Sequence, residues 1–267
     1  MHRRRLFITL NGVDRAIAML AIVVSASFLS SCASIPEEAN EFGPIPDGPA
    51  GEIHELRESH FSVDGTPNSV KLLKFSNGRR TLYFVPMIHQ AKPAFYQRVS
   101  KLVRDLKSRG ADLFYEFVDF ETASRSDKLR IRALLGFLPT PSFYAADLRQ
   151  GWVGQDNDDF LNFPGGRDIN ADLTPQELAD AYEELVGPLE ISEENLKTPM
   201  SEFVFPTSDL AKIPMIIIDL RNRHLARMLA DAPSDAVVLY GAAHGPGTLR
   251  ALLAHDRDWH RVVRRER

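Results

Sequence analysis

A strand–helix–strand pattern between residues 81 and 117 is the feature that most constrains the fold of this chain. Residues 81–85 and 112–117 are short apolar runs typical of buried strands, and residues 93–109 carry an apolar stripe at helical spacing. Gly110 follows that helix, where a glycine favours a helix end. Such a unit normally forms two parallel strands with a right-handed crossover. The pattern therefore predicts an α/β fold, in which ligand sites collect at the carboxyl ends of the strands.

Further segments extend the predicted sheet. A hairpin precedes residue 81, because Asn77-Gly78 tolerates the positive φ that a tight turn requires. A helix ending near Leu253 follows the predicted buried strand at residues 235–240. The additional predicted strands are residues 53–63, 70–75, 235–240 and 259–263.

The middle of the chain predicts helices separated by polar loops. Residues 126–137 form one candidate helix. Thr174 begins another that runs to about Val186, because a capping threonine is followed by a proline and then a glutamate at the third helical position. Residues 151–172 are rich in Asp, Asn and Gly and are predicted to be a long loop. Residues 215–230 have helical periodicity, although their isoleucine run also fits a strand.

Cys32 is the only cysteine among 267 residues, so no intramolecular disulfide is available and stability has to come from a packed core. It follows a basic segment and an uncharged, mostly apolar stretch, residues 16–28, which is too short to span a bilayer. Leu29-Ser30-Ser31-Cys32 resembles the lipobox of bacterial lipoproteins. The resemblance implies cleavage before Cys32 and acylation of that residue. The alternative is an ordinary signal peptide with a chance cysteine near its cleavage site.

Three regions are therefore predicted: a signal peptide over residues 1–31, a flexible tether rich in Pro and Gly over residues 32–51, and a single domain over residues 52–267. The leader carries a net charge of +3 within a total of −4, which leaves −7 for the remainder. An acidic body argues against nucleic acid as a partner. It also argues against electrostatic adhesion to anionic lipid, so lipid chains on Cys32 would supply the membrane attachment. Ala33, which follows Cys32 in place of aspartate, resembles the sorting pattern for the outer membrane, facing the periplasm.

Two histidines follow predicted strands in similar settings. Val85-Pro86-Met87-Ile88-His89 and Tyr240-Gly241-Ala242-Ala243-His244 each place a histidine four residues beyond a strand, with a helix next. The likeness suggests an internal duplication whose halves meet at one cleft. Glu116 at a third strand end would add a carboxylate, and Arg221-Asn222-Arg223 would add cations and an amide, around imidazoles that can act as acid, base or metal ligand. Alone, His89 would more often be structural, whereas its pairing with His244 at a matched position favours a functional role. Glu116 could simply form an ion pair with Arg221.

In this order, these residues resemble the TraB/PrgY/GumN superfamily, which includes the Wnt-inactivating TIKI proteases and is related to erythromycin esterase and the ChaN-like haem-binding lipoproteins. The family signature is a GxxH motif after a strand, a glutamate after the next helix, an Arg-Asn pair on a late helix and a second GxxH. The resemblance spans about residues 70–263. The matching positions are Glu116, Arg221-Asn222 and Gly241-Ala242-Ala243-His244, with Gln155 and the stretch Asn170-Ala171-Asp172-Leu173-Thr174 resembling further family positions.

The resemblance implies an α/β (α+β) fold with a central mixed sheet, two pseudo-repeated halves and helical inserts. It implies an extracytoplasmic hydrolase, a metal-dependent peptidase or esterase, that acts on a peptide or small-molecule substrate. The implied metal is Mn²⁺ or Co²⁺, which imidazole and carboxylate ligands suit. The implied catalytic residues are His89, Glu116, Arg221, Asn222 and His244, of which His89, Glu116 and His244 would bind the metal.

Pro86 departs from the family pattern, because it stands where the first motif has a glycine. Proline has no backbone N–H and cannot adopt a positive φ, so a site that used that amide would be impaired. Three alternatives stay open, of which the last is a scaffold in envelope maintenance. The first is a metal-free hydrolase with a histidine as general base. The second is a non-catalytic envelope lipoprotein that binds haem or a peptide in the same cleft, which Pro86 favours.

Overall fold

The structure, a computed structural model, describes residue 56, residues 58–140, residue 143 and residues 148–262. The predicted signal peptide, the predicted lipidation site at Cys32 and the predicted tether lie outside these residues. The described chain forms a mixed α/β fold with a mixed six-stranded central sheet, a two-stranded ribbon and seven α-helices. None of the helices in this part of the chain is both long and apolar enough to cross a bilayer.

The strands alternate with helices over most of the chain. The strands are β1 (Leu73–Ser76), β2 (Thr81–Met87), β3 (Gln90–Ala91), β4 (Asp112–Tyr115), β5 (Val153–Gly154), β6 (Asp168–Asn170), β7 (Ala236–Gly241) and β8 (His260–Arg261). The helices are α1 (Glu58–Phe61), α2 (Pro93–Lys107), α3 (Arg125–Leu135), α4 (Pro175–Leu185), α5 (Glu193–Lys197), α6 (Arg221–Asp231) and α7 (Gly245–His255).

The central sheet has the order β6–β4–β7–β2–β1–β8. Strands β6, β4, β7 and β2 are mutually parallel, whereas β1 is antiparallel to both β2 and β8. Strand β7 lies inside the sheet, and its first five residues are all buried. A continuous apolar run of this kind is what a parallel strand covered on both faces requires. The four parallel strands therefore present their carboxyl ends at one edge.

Separate apolar clusters cover the two faces of the sheet. One cluster joins the sheet to α1, α6 and α7, and a second joins it to α2. A third cluster lies within the helical insert between β4 and β7, where α3 and α4 pack together. Representative residues are Phe61, Phe84, Val238 and Leu225 in the first cluster, Val85, Val99, Val103 and Leu239 in the second, and Ile131, Leu134, Leu178 and Ile216 in the third.

Local signals set several helix boundaries as predicted. The Thr174 side chain accepts from the Glu177 N–H, and the Glu177 side chain accepts from the Thr174 N–H, so the predicted capping box is confirmed. Helix α3 starts after the capping Ser124, one residue before the predicted start, and stops at Gly136, whose φ of 85° suits glycine. Helix α2 ends at Lys107, two residues before the predicted end, and Gly110 has a φ of 91° in the turn that follows.

The predicted first strand, residues 53–63, is wrong where the structure describes it, because residues 58–61 form α1. The ring of Phe61 packs edge-on against Phe84 and lies over Gly245, where an added Cβ would be 2.1 Å from the ring. Phe61 is therefore buried by tertiary packing, although it belongs to a single helical turn and not to a strand. A single-turn helix leaves no periodic pattern in the sequence.

Residues 151–172 are not one long loop, because they contain β5 and the edge strand β6. Strand β6 pairs only with β4 among the described strands, and its residues stay partly exposed, so polar Asp168 and Asn170 suit it. Strands β2 and β4 are parallel as predicted, but β7 lies between them. The isoleucine run is neither strand nor α-helix. It forms a π-helix, Met215–Leu220, that leads directly into α6.

Candidate active site

The parallel strands bring the predicted site residues to one edge of the sheet. His89, Glu116 and His244 lie within three residues of the carboxyl ends of β2, β4 and β7. Arg221 and Asn222 are the first two residues of α6. Glu116, Arg221, Asn222 and His244 form one network of side-chain contacts, and His89 is exposed beside it.

Arg221 is held between two carboxylates. Its Nη2 lies 2.6 Å from Oε1 of Glu116 and 2.6 Å from Oδ2 of Asp172, and its Nε donates to Oδ1 of Asp172 at 2.8 Å. The Arg221 side chain is 8% exposed and the Asp172 side chain is fully buried. The two carboxylates raise the pKa of Arg221 well above its ordinary value, although burial opposes them. The guanidinium therefore stays charged in a setting that water barely reaches.

The remaining guanidinium nitrogen of Arg221 makes only long contacts. Nη1 lies 3.3 Å from the carbonyl oxygen of Ile217 and 3.4 Å from Nε2 of His244. Ile217 belongs to the π-helix, a wide turn that occurs often at functional sites. Nη1 is therefore the nitrogen of Arg221 that has the most capacity to donate to another acceptor.

Glu116 is ionised. Its Oε2 accepts the backbone N–H of Gly241 at 2.5 Å, while Oε1 accepts from Arg221. Burial alone would raise the pKa of Glu116, but the Arg221 charge, with smaller contributions from His244, His89 and the Gly241 amide, lowers it to about 2. Gly241 is suited to this contact, because an added Cβ would lie 3.0 Å from Oε2.

His244 is a neutral imidazole in a defined tautomer. Its Nδ1 lies 2.8 Å from Oδ1 of Asn222, which can only accept, so Nδ1 carries the proton and Nε2 carries the lone pair. Nε2 lies 3.7 Å from Oε1 of Glu116. Burial and the Arg221 charge lower the pKa of His244 to about 3, and Glu116 only partly opposes them. The ring also packs edge-on against Tyr240 at 5.0 Å.

His89 lies close to this network but is exposed to solvent. His89 lowers the pKa of both Glu116 and His244 electrostatically, so it lies within electrostatic range of both. A short chain of hydrogen bonds also links its backbone to that of Glu116. The His89 carbonyl accepts the Gln155 N–H at 2.8 Å, the Gln155 side chain donates to Asn157, and the Asn157 side chain donates to the Glu116 carbonyl at 3.1 Å.

The two histidine motifs are less alike than the sequence suggests. The pairing of β2 with β7 places Pro86 opposite Tyr240, one residue out of step with Gly241. His89 lies two residues beyond the end of β2 and His244 lies three beyond the end of β7, rather than four in each case. Pro86 is buried in β2 beyond the residues that pair with β1, where a missing N–H is tolerated. The amide that reaches Glu116 comes from Gly241, so Pro86 does not remove it.

Sequence reasoning gave no role in this site to Asp172, which it named only within the family-like stretch 170–174, and it did not name Asn157. Asp172 forms the two-point ion pair with Arg221, and Asn157 fixes the backbone of Glu116. Asp172 follows β6, the strand that the polar composition of residues 151–172 concealed. Recognising β6 would have placed Asp172 at the same edge as Glu116, because β6 is parallel to β4. Asn157 gives no comparable signal, since it stands in an acidic 3₁₀ turn.

No protein-family model, curated protein or solved structure matches this chain in comparisons of all three kinds. The assignment of a function therefore depends on the geometry of the site and on the motifs.

Proposed function

We propose that this chain is an extracytoplasmic hydrolase that cleaves an ester or peptide bond where Glu116, Arg221 and His244 meet His89. The observation that supports it is the buried Arg221 guanidinium between two carboxylates, beside an imidazole whose pKa is lowered to about 3. Burying charged groups is costly even when they are paired. Strongly perturbed ionisable groups that share one cluster concentrate at functional sites.

Arg221 would stabilise negative charge that develops on a substrate carbonyl oxygen. Its Nη1 has two long contacts, to the Ile217 carbonyl and His244, and can exchange them for a shorter bond to an oxyanion. Fixed donors in a site with little water stabilise such charge strongly. Glu116 and Asp172 would hold the guanidinium in place through its other nitrogens.

His89 would transfer the proton. It is the exposed histidine of the site, and imidazole exchanges protons near neutral pH, so it can activate a water molecule as general base. His244 is less suited to that role, because a group with a pKa of about 3 is a weak base at pH 7. Its Nε2 lone pair would instead accept a hydrogen bond, with the tautomer set by Asn222.

In the metal-dependent form of this proposal, His89, Glu116 and His244 would bind Mn²⁺ or Co²⁺, and the ion would polarise the carbonyl. The Arg221 guanidinium lies 2.6 Å from Glu116 Oε1 and 3.4 Å from His244 Nε2, so its positive charge would repel a metal ion bound to those atoms. Among the described residues, no three His, Cys, Asp or Glu side chains are spaced to hold a metal ion. The donors do not fit a metal as they are arranged here, and we favour the metal-free form.

The relation to the TraB/PrgY/GumN superfamily, the acylation of Cys32 and the location at the periplasmic face of the outer membrane are proposals that rest on the sequence motifs. The lipobox supports acylation, and the order of Glu116, Arg221-Asn222 and Gly241–His244 supports the relation. The acidic charge balance supports a substrate other than nucleic acid.

The test is hydrolysis by the full chain carrying Cys32→Ser, which removes the predicted acylation site. A panel of nitrophenyl esters and fluorogenic peptides would be assayed with EDTA, with Mn²⁺ and with Co²⁺. We expect hydrolysis that EDTA does not abolish, and a fall in kcat of about 100-fold or more in His89→Ala. His260→Ala is the matched control, because His260 is an exposed histidine on β8, at an outer edge of the sheet.

Equal activity in His89→Ala and His260→Ala would overturn the assignment of the base. Activity that EDTA removes and Mn²⁺ restores would favour the metal-dependent form. If no member of the panel is cleaved, the hydrolase proposal fails for these substrate classes. A haem absorbance band that depends on His89 would then favour the alternative, a non-catalytic haem-binding lipoprotein.

A further inference from the structure

A short ribbon connects two of the strand ends at the candidate active site. Immediately after His89, β3 pairs with β5 in an antiparallel ribbon, and the Gln155 N–H just beyond β5 bonds to the His89 carbonyl. From there the Asn157 side chain reaches the Glu116 carbonyl. The ribbon therefore spans from the histidine of β2 to the carboxylate of β4.

The backbone beside Glu116 is held by two asparagine side chains. Asn157 Nδ2 donates to the Glu116 carbonyl at 3.1 Å, and Asn170 Nδ2 donates to the next carbonyl, that of Phe117, at 2.9 Å. Consecutive carbonyls bonded from separate segments leave the strand end little freedom. Phe117 therefore has a defined position one residue from the ionised carboxylate.

Two large apolar side chains are exposed in the segments that this hydrogen-bonded link joins. Phe117 is 41% exposed, and Val153, in β5, is 39% exposed. A single exposed apolar residue is ordinary. Here one directly follows Glu116 and the other lies two residues before Gln155, so both belong to the segments that the hydrogen-bonded link between His89 and Glu116 joins. The ribbon and the two asparagines fix the backbone of these segments.

We propose that Phe117 and Val153 form an apolar rim that binds an apolar group of the substrate next to the bond that is cleaved. This inference rests on the proposed hydrolase function and specifies its substrate class, an acyl ester or a peptide with an apolar group beside the scissile bond. A substrate that covered part of both side chains would gain affinity in proportion to the area removed from water. Charge from Glu116 and Arg221 would act on the reacting carbonyl and not on this group.

The test compares binding of acetate, butyrate and octanoate, which are products of ester cleavage, by NMR titration of the full chain carrying Cys32→Ser. We expect octanoate to bind about tenfold more tightly than acetate, and Phe117→Ser to remove most of that difference while acetate binding is unchanged. Phe205→Ser is the matched control, because Phe205 is 57% exposed in the helical insert and packs edge-on against Phe203.

Equal affinity of the wild type for the three carboxylates, or an equal loss in Phe117→Ser and Phe205→Ser, would overturn the rim. The parallel kinetic readout uses nitrophenyl acetate and nitrophenyl octanoate, where Phe117→Ser should raise KM for octanoate alone and leave kcat within about twofold. The binding series needs no turnover. A chain-length preference without hydrolysis would therefore support the apolar rim and contradict the hydrolase proposal. Hydrolysis without a chain-length preference would support the hydrolase proposal and contradict the apolar rim.

Discussion

At the end of β7, His244 is enclosed by Asn222, Arg221 and the Tyr240 ring, whereas at the end of β2, His89 is exposed to solvent. Both histidines come after parallel strands at the same edge of the sheet. The difference arises from the path of the chain beyond each strand. After β7 the chain enters a 3₁₀ turn and then α7, which packs against α6, and after β2 it turns into the β3–β5 ribbon.

Similar motifs at similar strand ends therefore have different physical properties in this protein. Burial and the Arg221 charge keep His244 neutral and in a single tautomer. Exposure leaves His89 in contact with water, which a group that exchanges protons requires. The enclosed histidine should therefore matter more for stability, and the exposed histidine more for turnover.

The largest expected effect is that of Arg221→Leu, which removes the cation from the buried network around His244. The change leaves the buried carboxylates of Glu116 and Asp172 without their cation, so we expect a loss of about 3–5 kcal/mol in the free energy of unfolding. Arg79→Leu is the control, because Arg79 pairs with Asp256 at a similar 2.7 Å but is 72% exposed. It should cost at most about 1 kcal/mol. Urea denaturation measures both, and equal losses would contradict the role of burial.

The next effect compares the two histidines directly at pH 7. His244→Ala removes a buried ring and its hydrogen bond to Asn222, so we expect a loss of about 2–3 kcal/mol in stability. His89→Ala changes an exposed side chain and should alter stability by no more than about 0.5 kcal/mol. Chemical denaturation of both variants is the measurement. A larger loss in His89→Ala would show that the exposed histidine also supports the fold.

A smaller expected effect is that His244 makes the free energy of unfolding depend on pH, so that a His244 variant should differ from the wild type in this dependence. The pKa of His244 is lowered from 6.5 to about 3 in the folded state, so the unfolded chain binds the proton more readily. The stability that neutral His244 contributes is therefore full above pH 6.5 and is lost as the pH falls below it, by at most about 1.4 kcal/mol per pH unit. Glu116, with a pKa of about 2 against an ordinary 4.5, adds to the loss below pH 4.5.

Unfolding free energies at about pH 7, 6 and 5 would test this difference. His244→Gln should lose most of the wild-type slope in this window. A wild-type slope in His244→Gln would mean that His244 is not held neutral.

The smallest expected effect is that of Pro86→Gly, which introduces, before the exposed His89, the glycine of the TraB/PrgY/GumN motif that the sequence resembles. Because Gly241, and not residue 86, supplies the amide to Glu116, we expect hydrolysis to change by less than about twofold. Stability should fall by about 1 kcal/mol, because glycine has more freedom in the unfolded chain. A large gain in activity would show instead that Pro86 suppresses the site.

Elements with strong local signals were predictable. The stripe of α2, the capping box of α4 and the apolar run of β7 each lie within a few consecutive residues, and the structure contains all three near their predicted bounds. Weak or mixed signals failed. Strand β6 is three residues long and polar, α1 is a single turn, and the isoleucine run forms a π-helix that periodicity does not indicate.

The amino-acid sequence alone was enough to place Glu116, Arg221 and the two histidines near strand and helix ends, because motifs and caps depend on neighbouring residues, but it gave no role to Asp172. Tertiary packing was needed to place β7 between β2 and β4, to pair Asp172 and Glu116 with one Arg221, and to enclose His244 while leaving His89 exposed. Strand order, burial and charge pairing join residues that are distant in sequence. Their energies depend on the completed packing and on the low polarity that it creates.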